Sequence, residues 1–277
     1  MTGSGNNMSI LQPHISADAS REKKGSAIGL FSHIFSRVSA FVSTVVNIGV
    51  LYKYIRQSDL VRVLWVLSYI EKTQGGHEAY KRKLPFDKNA NPLPWYTYPG
   101  IEFLQQFDFS NCNIFEYGSG NSSQFWSNKA HTVISVESDP EWYKFGIQDL
   151  PYNRTLCLKS ECNEYSGAIH QNEMKYEVIV IDGMYRYNCA VESISRLIDG
   201  GVIILDNCDW FPETARFLRD SDFTQVDFIG AGPVNSYAWC TSVFFRGRIS
   251  LHRISDSEPV SVLGGIAEIS VMDKICS

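Results

Sequence analysis

Four acids in this chain stand in or just after short apolar runs. Glu116 lies in Ile114-Phe-Glu-Tyr-Gly-Ser-Gly120, Glu137 follows Val133-Ile-Ser-Val136, Asp182 follows Val178-Ile-Val-Ile181, and Asp206 follows Val202-Ile-Ile-Leu205. Runs of this length, bounded by turn residues, read as buried strands. In an open parallel sheet a ligand sits outside the carboxyl ends of the strands, so acids collected there are candidates for binding and catalysis. Gly118 and Gly120, followed by Asn-Ser-Ser123, form a strand–turn–helix joint. Such a joint presents backbone N–H groups beside a positive helix end, and glycine tolerates positive φ and close approach of a ligand. Glu137, one strand on, can accept two hydrogen bonds from a ribose diol. Asp182, Asp206 and Asn207 bring two carboxylates and an amide carbonyl, hard oxygen ligands suited to Mg²⁺ or Ca²⁺. The alternative for Asp206-Asn207 is a turn or helix cap.

The elements that must position these residues follow from the pattern around them. Strands are expected at Asn113–Tyr117, Thr132–Val136, Thr155–Leu158, Tyr176–Ile181 and Gly201–Leu205. Helices are expected near Ser122–Asn128, Pro140–Gln148, Cys189–Leu197 and Pro212–Arg219. Alternation of this kind implies βαβ units and a mostly parallel sheet with helices on both faces, an α/β, Rossmann-like fold. Two more apolar runs, Thr224–Ile229 and Ala238–Phe245, are separated by too few residues for a crossover helix and must pair antiparallel. Before the sheet, Trp95-Tyr-Thr-Tyr-Pro99 leads into a short helix, Gly100–Phe107; the aromatics either wall a pocket or pack a linker.

Residues 1–26 are rich in Ser, Gly and Asn and read as a tail, and residues 27–84 as a helical extension. Within the extension, Phe31, Ile34, Phe35, Val38, Phe41, Val42, Val45 and Ile48 recur at helical spacing. The longest charge-free run, Val38 to Tyr52, has 15 residues. A span needs roughly 20. This helix either packs on protein or makes a peripheral membrane contact through residues 28–55. A second helix follows Ser58-Asp59, and Gly75-Gly76 opens a polar linker. The main domain is placed at 85–247 and a weakly patterned extension at 248–277.

Composition sets the outer bounds. With 277 residues, 44% hydrophobic, the chain can bury one well-packed domain. A net charge of −5 and the absence of a basic run in the body of the chain argue against a nucleic-acid partner. The seven cysteines show no metal-finger spacing and suit reduced thiols in a cytoplasmic setting.

Two details separate a dinucleotide site from another kind. Serine occupies position 123, where G-x-G-x-x-G requires glycine. An acid occupies position 116, where dinucleotide folds place an apolar residue, and an acid suits a ligand with a positive amino group. Phe115-Glu-Tyr-Gly-Ser-Gly-Asn-Ser122 resembles the first motif of class I S-adenosylmethionine-dependent methyltransferases, and Val133-Ile-Ser-Val-Glu-Ser-Asp-Pro-Glu-Trp-Tyr143 resembles their second. The resemblance covers roughly residues 92–246 and implies a seven-stranded sheet whose last strand is antiparallel. It implies S-adenosyl-L-methionine as cofactor. Glu116, Gly118, Ser119 and Gly120 would hold its methionine part and Glu137 its ribose, with Tyr117, Ser122, Ser138 and Asp182 completing the set. An adenine contact would fall near Ser160 or Glu161.

The chain is also similar to metal-dependent, catechol-type O-methyltransferases. That similarity implies Mg²⁺ on Asp182, Asp206 and Asn207, catalytic roles for Asp182, Asp206 and Tyr185, and a small-molecule or glycan acceptor. One departure stands out. Those enzymes carry a lysine shortly after the first aspartate, whereas Gly-Met-Tyr-Arg-Tyr follows Asp182. The general base is thus open among Asp209, Tyr185 and the metal, and Arg186 is free to pair with an anionic substrate. The alternatives are an NAD-dependent oxidoreductase and a non-catalytic, cofactor-binding scaffold.

Overall fold

Every core strand here is a run of β-branched and aromatic residues, and successive side chains feed opposite faces of one sheet. This computed structural model describes residues 75–148 and 150–254, together with Val61, Leu64 and Ser68, which are helical. The expected tail, the amphipathic helix at 28–55 with its membrane contact, and the chain beyond 254 lie outside the described residues.

The strands are β1 (Phe107–Asp108), β2 (Asn113–Tyr117), β3 (Thr132–Glu137), β4 (Arg154–Leu158), β5 (Tyr176–Ile181), β6 (Leu197–Leu205), β7 (Thr224–Ala231), β8 (Ala238–Phe245) and β9 (His252–Arg253). Seven of them form one sheet in the order β4-β3-β2-β5-β6-β8-β7. Neighbours from β4 to β6 are parallel, and β8 runs antiparallel to both β6 and β7. The described helices are α1 (Gly76–Arg82), α2 (Tyr98–Leu104), α3 (Asn121–Ser127), α4 (Pro140–Gly146), α5 (Cys162–Ser166), α6 (Arg186–Ser193) and α7 (Pro212–Asp220). Phe115, Ile179 and Ile203 pack with Cys189 and Ala190 of α6 and Leu218 of α7. Their chain neighbours Ile114, Val178 and Val202 pack on the other face with Leu104 of α2 and Trp126 of α3. Each such apolar side chain, when fully buried, contributes about 1.5–3 kcal/mol. The central strands are therefore packed on both faces, and their ends are fixed by that packing.

Three expectations need correction. The stretch after Gly75 is not all linker: Gly75 takes a left-handed conformation (φ 68°) and α1 begins, with Ala79 buried and Arg82 paired to Glu78 at 3.0 Å. The helix expected at 100–107 is α2, started by Thr97, whose Oγ1 accepts from the Gly100 N–H at 3.3 Å. Phe107 and Asp108 then form β1, which pairs antiparallel with β9. Part of the unreadable C-terminal extension thus belongs to the fold, a non-local pairing that local pattern cannot show. Finally, β6 starts at Leu197, and α6 covers Arg186–Ser193 instead of Cys189–Leu197. Six described cysteines carry free thiols, and four of those are buried. No described helix is long and apolar enough to cross a membrane.

Candidate active site

Parallel register sets the four acids along one edge of the sheet. Tyr117 is level with Val136 and Ile181, and Ile181 with Leu205. The ladder continues into the turns: Gly118 N–H donates to Val136 O at 2.9 Å, and Asp182 N–H to Tyr117 O at 3.0 Å. Two of these turns touch. Gly118 has φ 94°, and a Cβ on it would stand 2.7 Å from Asp182 O. A Cβ on Gly183 would stand 2.0 Å from Tyr165 Oη and 2.8 Å from Gly118 N. Glycine is required at both places by close packing. Gly120 is different, since a Cβ there would meet nothing within 4 Å. The turn is tight where it meets the protein and open where a ligand would lie.

Glu116 is fully buried beneath this turn. Its Oε2 accepts from the hydroxyls of Ser123 and Ser135, the latter at 2.7 Å. Ser123 Oγ also accepts from Gly120 N–H at 3.1 Å, so the serine that replaces a third glycine ties the turn to the acid. By donor–acceptor geometry Glu116 Oε1 has no hydrogen-bond partner among the described residues, although the Ser122 hydroxyl lies near enough to favour the charged carboxylate. Burial raises the Glu116 pKa, and the hydroxyls of Ser122, Ser123 and Ser135 and the charge of Arg154 oppose that rise. Arg154 is itself buried, and its Nε and Nη2 also lack partners among the described residues.

Glu137 is more fully used. Oε1 accepts from the N–H groups of Ser138 (2.7 Å) and Asp139 (2.9 Å), and Oε2 from the Ser119 N–H (2.9 Å) and hydroxyl (3.0 Å). The hydroxyl contact is the one a ribose diol can replace without disturbing the main chain. Ser160 Oγ donates to Ser138 O at 3.0 Å, which joins the ends of β3 and β4. Tyr117 brings only its main chain to this edge; its side chain lies in the core and donates to Ser166 O at 2.7 Å. Tyr185 is left-handed (φ 52°) and donates to Ser160 O at 3.2 Å, standing with Tyr165 by the β4 end.

The oxygens of Asp182, Asp206 and Asn207 do converge, but on Arg186. Its Nη2 donates to Asp182 Oδ1 (3.1 Å) and Asn207 Oδ1 (3.2 Å), its Nη1 to Asp206 O, and its Nε to Gly183 O (3.0 Å). The Phe211 ring lies 4.2 Å from the guanidinium carbon. The Asp206 carboxylate is turned away and accepts through Oδ1 from Trp239 Nε1 (3.1 Å) and Thr241 Oγ1 (2.5 Å). Burial pushes Asp206 up to about 6, against the pull of Thr241 and Arg186. Burial, and then the Asp206 charge, hold Asp182 well above the usual carboxylate range, with Arg186 opposing. Among the described residues no group of three or more His, Cys, Asp and Glu is placed to hold a metal ion. The expected Mg²⁺ does not fit this donor set: Arg186 already holds Asp182 Oδ1 and Asn207 Oδ1, and the Asp206 carboxylate is turned toward Trp239 and Thr241. Arg186 is also not free for an anionic substrate.

Sequence reasoning missed the partners of these acids: Ser135 for Glu116, Arg186 for Asp182 and Asn207, and Trp239 and Thr241 for Asp206. Only Asp182 and Arg186 carried a local signal, an i, i+4 spacing of opposite charges. Asp209, weighed as a base, accepts from Cys240 N–H at 3.0 Å. The aromatic stretch is fixed beside this cluster, since Thr97 N–H donates to Thr241 Oγ1 at 3.0 Å and Tyr96 is fully buried.

An all-parallel dinucleotide-binding sheet has no antiparallel strand inserted near its edge. Here β8 enters antiparallel between β6 and β7. The sheet is the seven-stranded, mostly parallel one that the resemblance to class I methyltransferases leads one to expect. No family model and no curated protein matches the chain. Among solved structures it is similar to precorrin-6y C5,15-methyltransferase of Geobacter metallireducens (14% identity, 54% of this chain and 87% of that one, TM-score 0.42). It is also similar to a putative caffeoyl-CoA O-methyltransferase of Staphylococcus aureus (16%, 50% and 78%, 0.40). A third is the O-methyltransferase TomG of Streptomyces achromogenes in complex with S-adenosylmethionine (12%, 65% and 90%, 0.45). At such identities and scores these likenesses carry no argument, and the description of the fold rests on the strand order.

Proposed function

We propose that the chain is an S-adenosylmethionine-dependent methyltransferase that acts on an oxygen of a small-molecule or glycan acceptor. The observation that carries this reading is the unpartnered Glu116 Oε1, fully buried beside an open glycine turn. A buried carboxylate oxygen without a donor is costly and calls for a positively charged N–H group, such as the amino group of the cofactor's methionine part. The cofactor, when bound, supplies an electrophilic methyl group. Gly118, Ser119 and Gly120 would cradle it with main chain, Ser122 would line it, and Glu137 and Ser138 would meet the ribose. Tyr185, fixed on Ser160 O, would wall the cofactor side.

Asp182 stands at the junction of the two clusters, and its side chain is 20% exposed. A carboxylate with a raised pKa is suited to take a proton from an acceptor hydroxyl, so Asp182 is our choice of general base. Asp206 supports it through the shared Arg186 and does not face the acceptor. Catalysis then rests on positioning and on exclusion of water. Calorimetric titration with S-adenosylhomocysteine and, separately, NADH tests the reading. Binding of the first is expected; binding of NADH alone overturns it in favour of an oxidoreductase.

A further inference from the structure

Two of the side chains that suggest a metal site, Asp182 and Asn207, turn an oxygen toward a cation that the chain carries itself, and Asp206 meets it through its main-chain O. We propose that the Arg186 guanidinium is the resident cation of this cluster, standing where a divalent metal would bridge Asp182 and Asn207, and that the protein works without a metal at this position. Four N–H bonds run from Arg186 to Asp182 Oδ1, Asn207 Oδ1, Asp206 O and Gly183 O. They join the turn after β5 to the turn after β6. The placement is built by the backbone. Tyr185 is left-handed, so α6 starts abruptly at Arg186, and the side chain folds back over both strand ends.

The Arg186 side chain is 9% exposed, and its guanidinium carbon lies 4.2 Å from the centre of the Phe211 ring, on which a planar cation packs well. Mg²⁺ requires oxygen ligands at about 2.0–2.1 Å in octahedral array. A Mg²⁺ on Asp182 Oδ1 would stand within about 5 Å of the guanidinium that donates to the same oxygen at 3.1 Å, and two cations that close repel strongly where water is scarce. The absence of a lysine after Asp182 fits the same account: the basic residue sits one helical turn on and is spent on the cluster. Arg186 is thus a positioning residue that fixes Asp182. The claim that transfer is metal-independent rests on the methyltransferase reading; the claim about what fills the cluster does not.

The test is uptake of Mn²⁺ by the full chain, read from the paramagnetic resonance of the free ion. Wild type should take up none, whereas Arg186→Gly should take up Mn²⁺ in a manner abolished by adding Asp182→Asn. Uptake by wild type that Asp182→Asn removes would overturn the proposal, and so would a folded Arg186→Gly protein that takes up none. If Arg186→Gly does not fold, the wild-type titration with its Asp182→Asn control decides alone. Calorimetry with S-adenosylhomocysteine on the same wild-type sample reads the cofactor site separately, so failure of the methyltransferase reading is visible apart from this result.

Discussion

Two clusters of buried acids share the carboxyl edge of one sheet and are finished in opposite ways. Around Asp182 and Asp206, Arg186, Trp239 and Thr241 engage the carboxylates and the neighbouring main chain. Around Glu116 one oxygen is left over, and so are two nitrogens of Arg154 on the same side of the sheet. The first cluster is tied into the fold, with only Asp182 partly exposed, whereas the second keeps a buried oxygen without a donor. Charge alone does not separate binding from structure at this edge. The count of unused donors and acceptors does.

Substitutions should divide along the same line. Arg186→Met is expected to have the largest effect, a loss of about 3 kcal/mol in stability, because it leaves Asp182 largely buried without its partner. Urea denaturation measures it, and a loss below about 1 kcal/mol would mean that the guanidinium is not holding the cluster. Glu116→Gln should act on binding instead. Affinity for S-adenosylhomocysteine should fall about 10- to 100-fold by calorimetry, the worth of one hydrogen bond to a charged group, while the free protein loses no stability.

The pH dependence of the same residue has a definite sign. Burial raises the Glu116 pKa, so its contribution to stability is full below the unfolded value and is lost as pH rises through the folded one. The free protein should therefore lose melting temperature with rising pH across that window, while the shift produced by S-adenosylhomocysteine grows. Both trends should flatten in Glu116→Gln. The smallest effect is expected for Thr241→Val, about 1 kcal/mol in stability with unchanged cofactor affinity, since Asp206 keeps its bond to Trp239. A weakened cofactor affinity there would show that the two clusters are not separate.

The sequence carried the parallel core well because each strand announces itself: a β-branched run can be buried on both faces only between helices, and the acids at the ends mark the edge where ligands go. It carried less where pairing is distant. The β1–β9 pair joins residues 144 and 146 positions apart, and no local period reports it. Asp206 and Asn207 read as metal ligands by residue type, yet which way Asp206 turns was set by Thr241 and Trp239 on β8, about 35 residues later. Glu116 was legible as a binding acid from its place before the glycines. That it keeps one empty oxygen is a tertiary fact, since Ser135 on the neighbouring strand satisfies only the other.

By itself the sequence determined the α/β sheet, its antiparallel last strand, the edge on which the acids gather and the glycine turn between them. Those follow from periodicity and from residues that tolerate only one backbone. The tertiary structure decided which acids remain open to a ligand and which are closed, because hydrogen bonds to a carboxylate come from wherever the fold brings a donor, and a donor's distance along the chain says nothing about its distance in space.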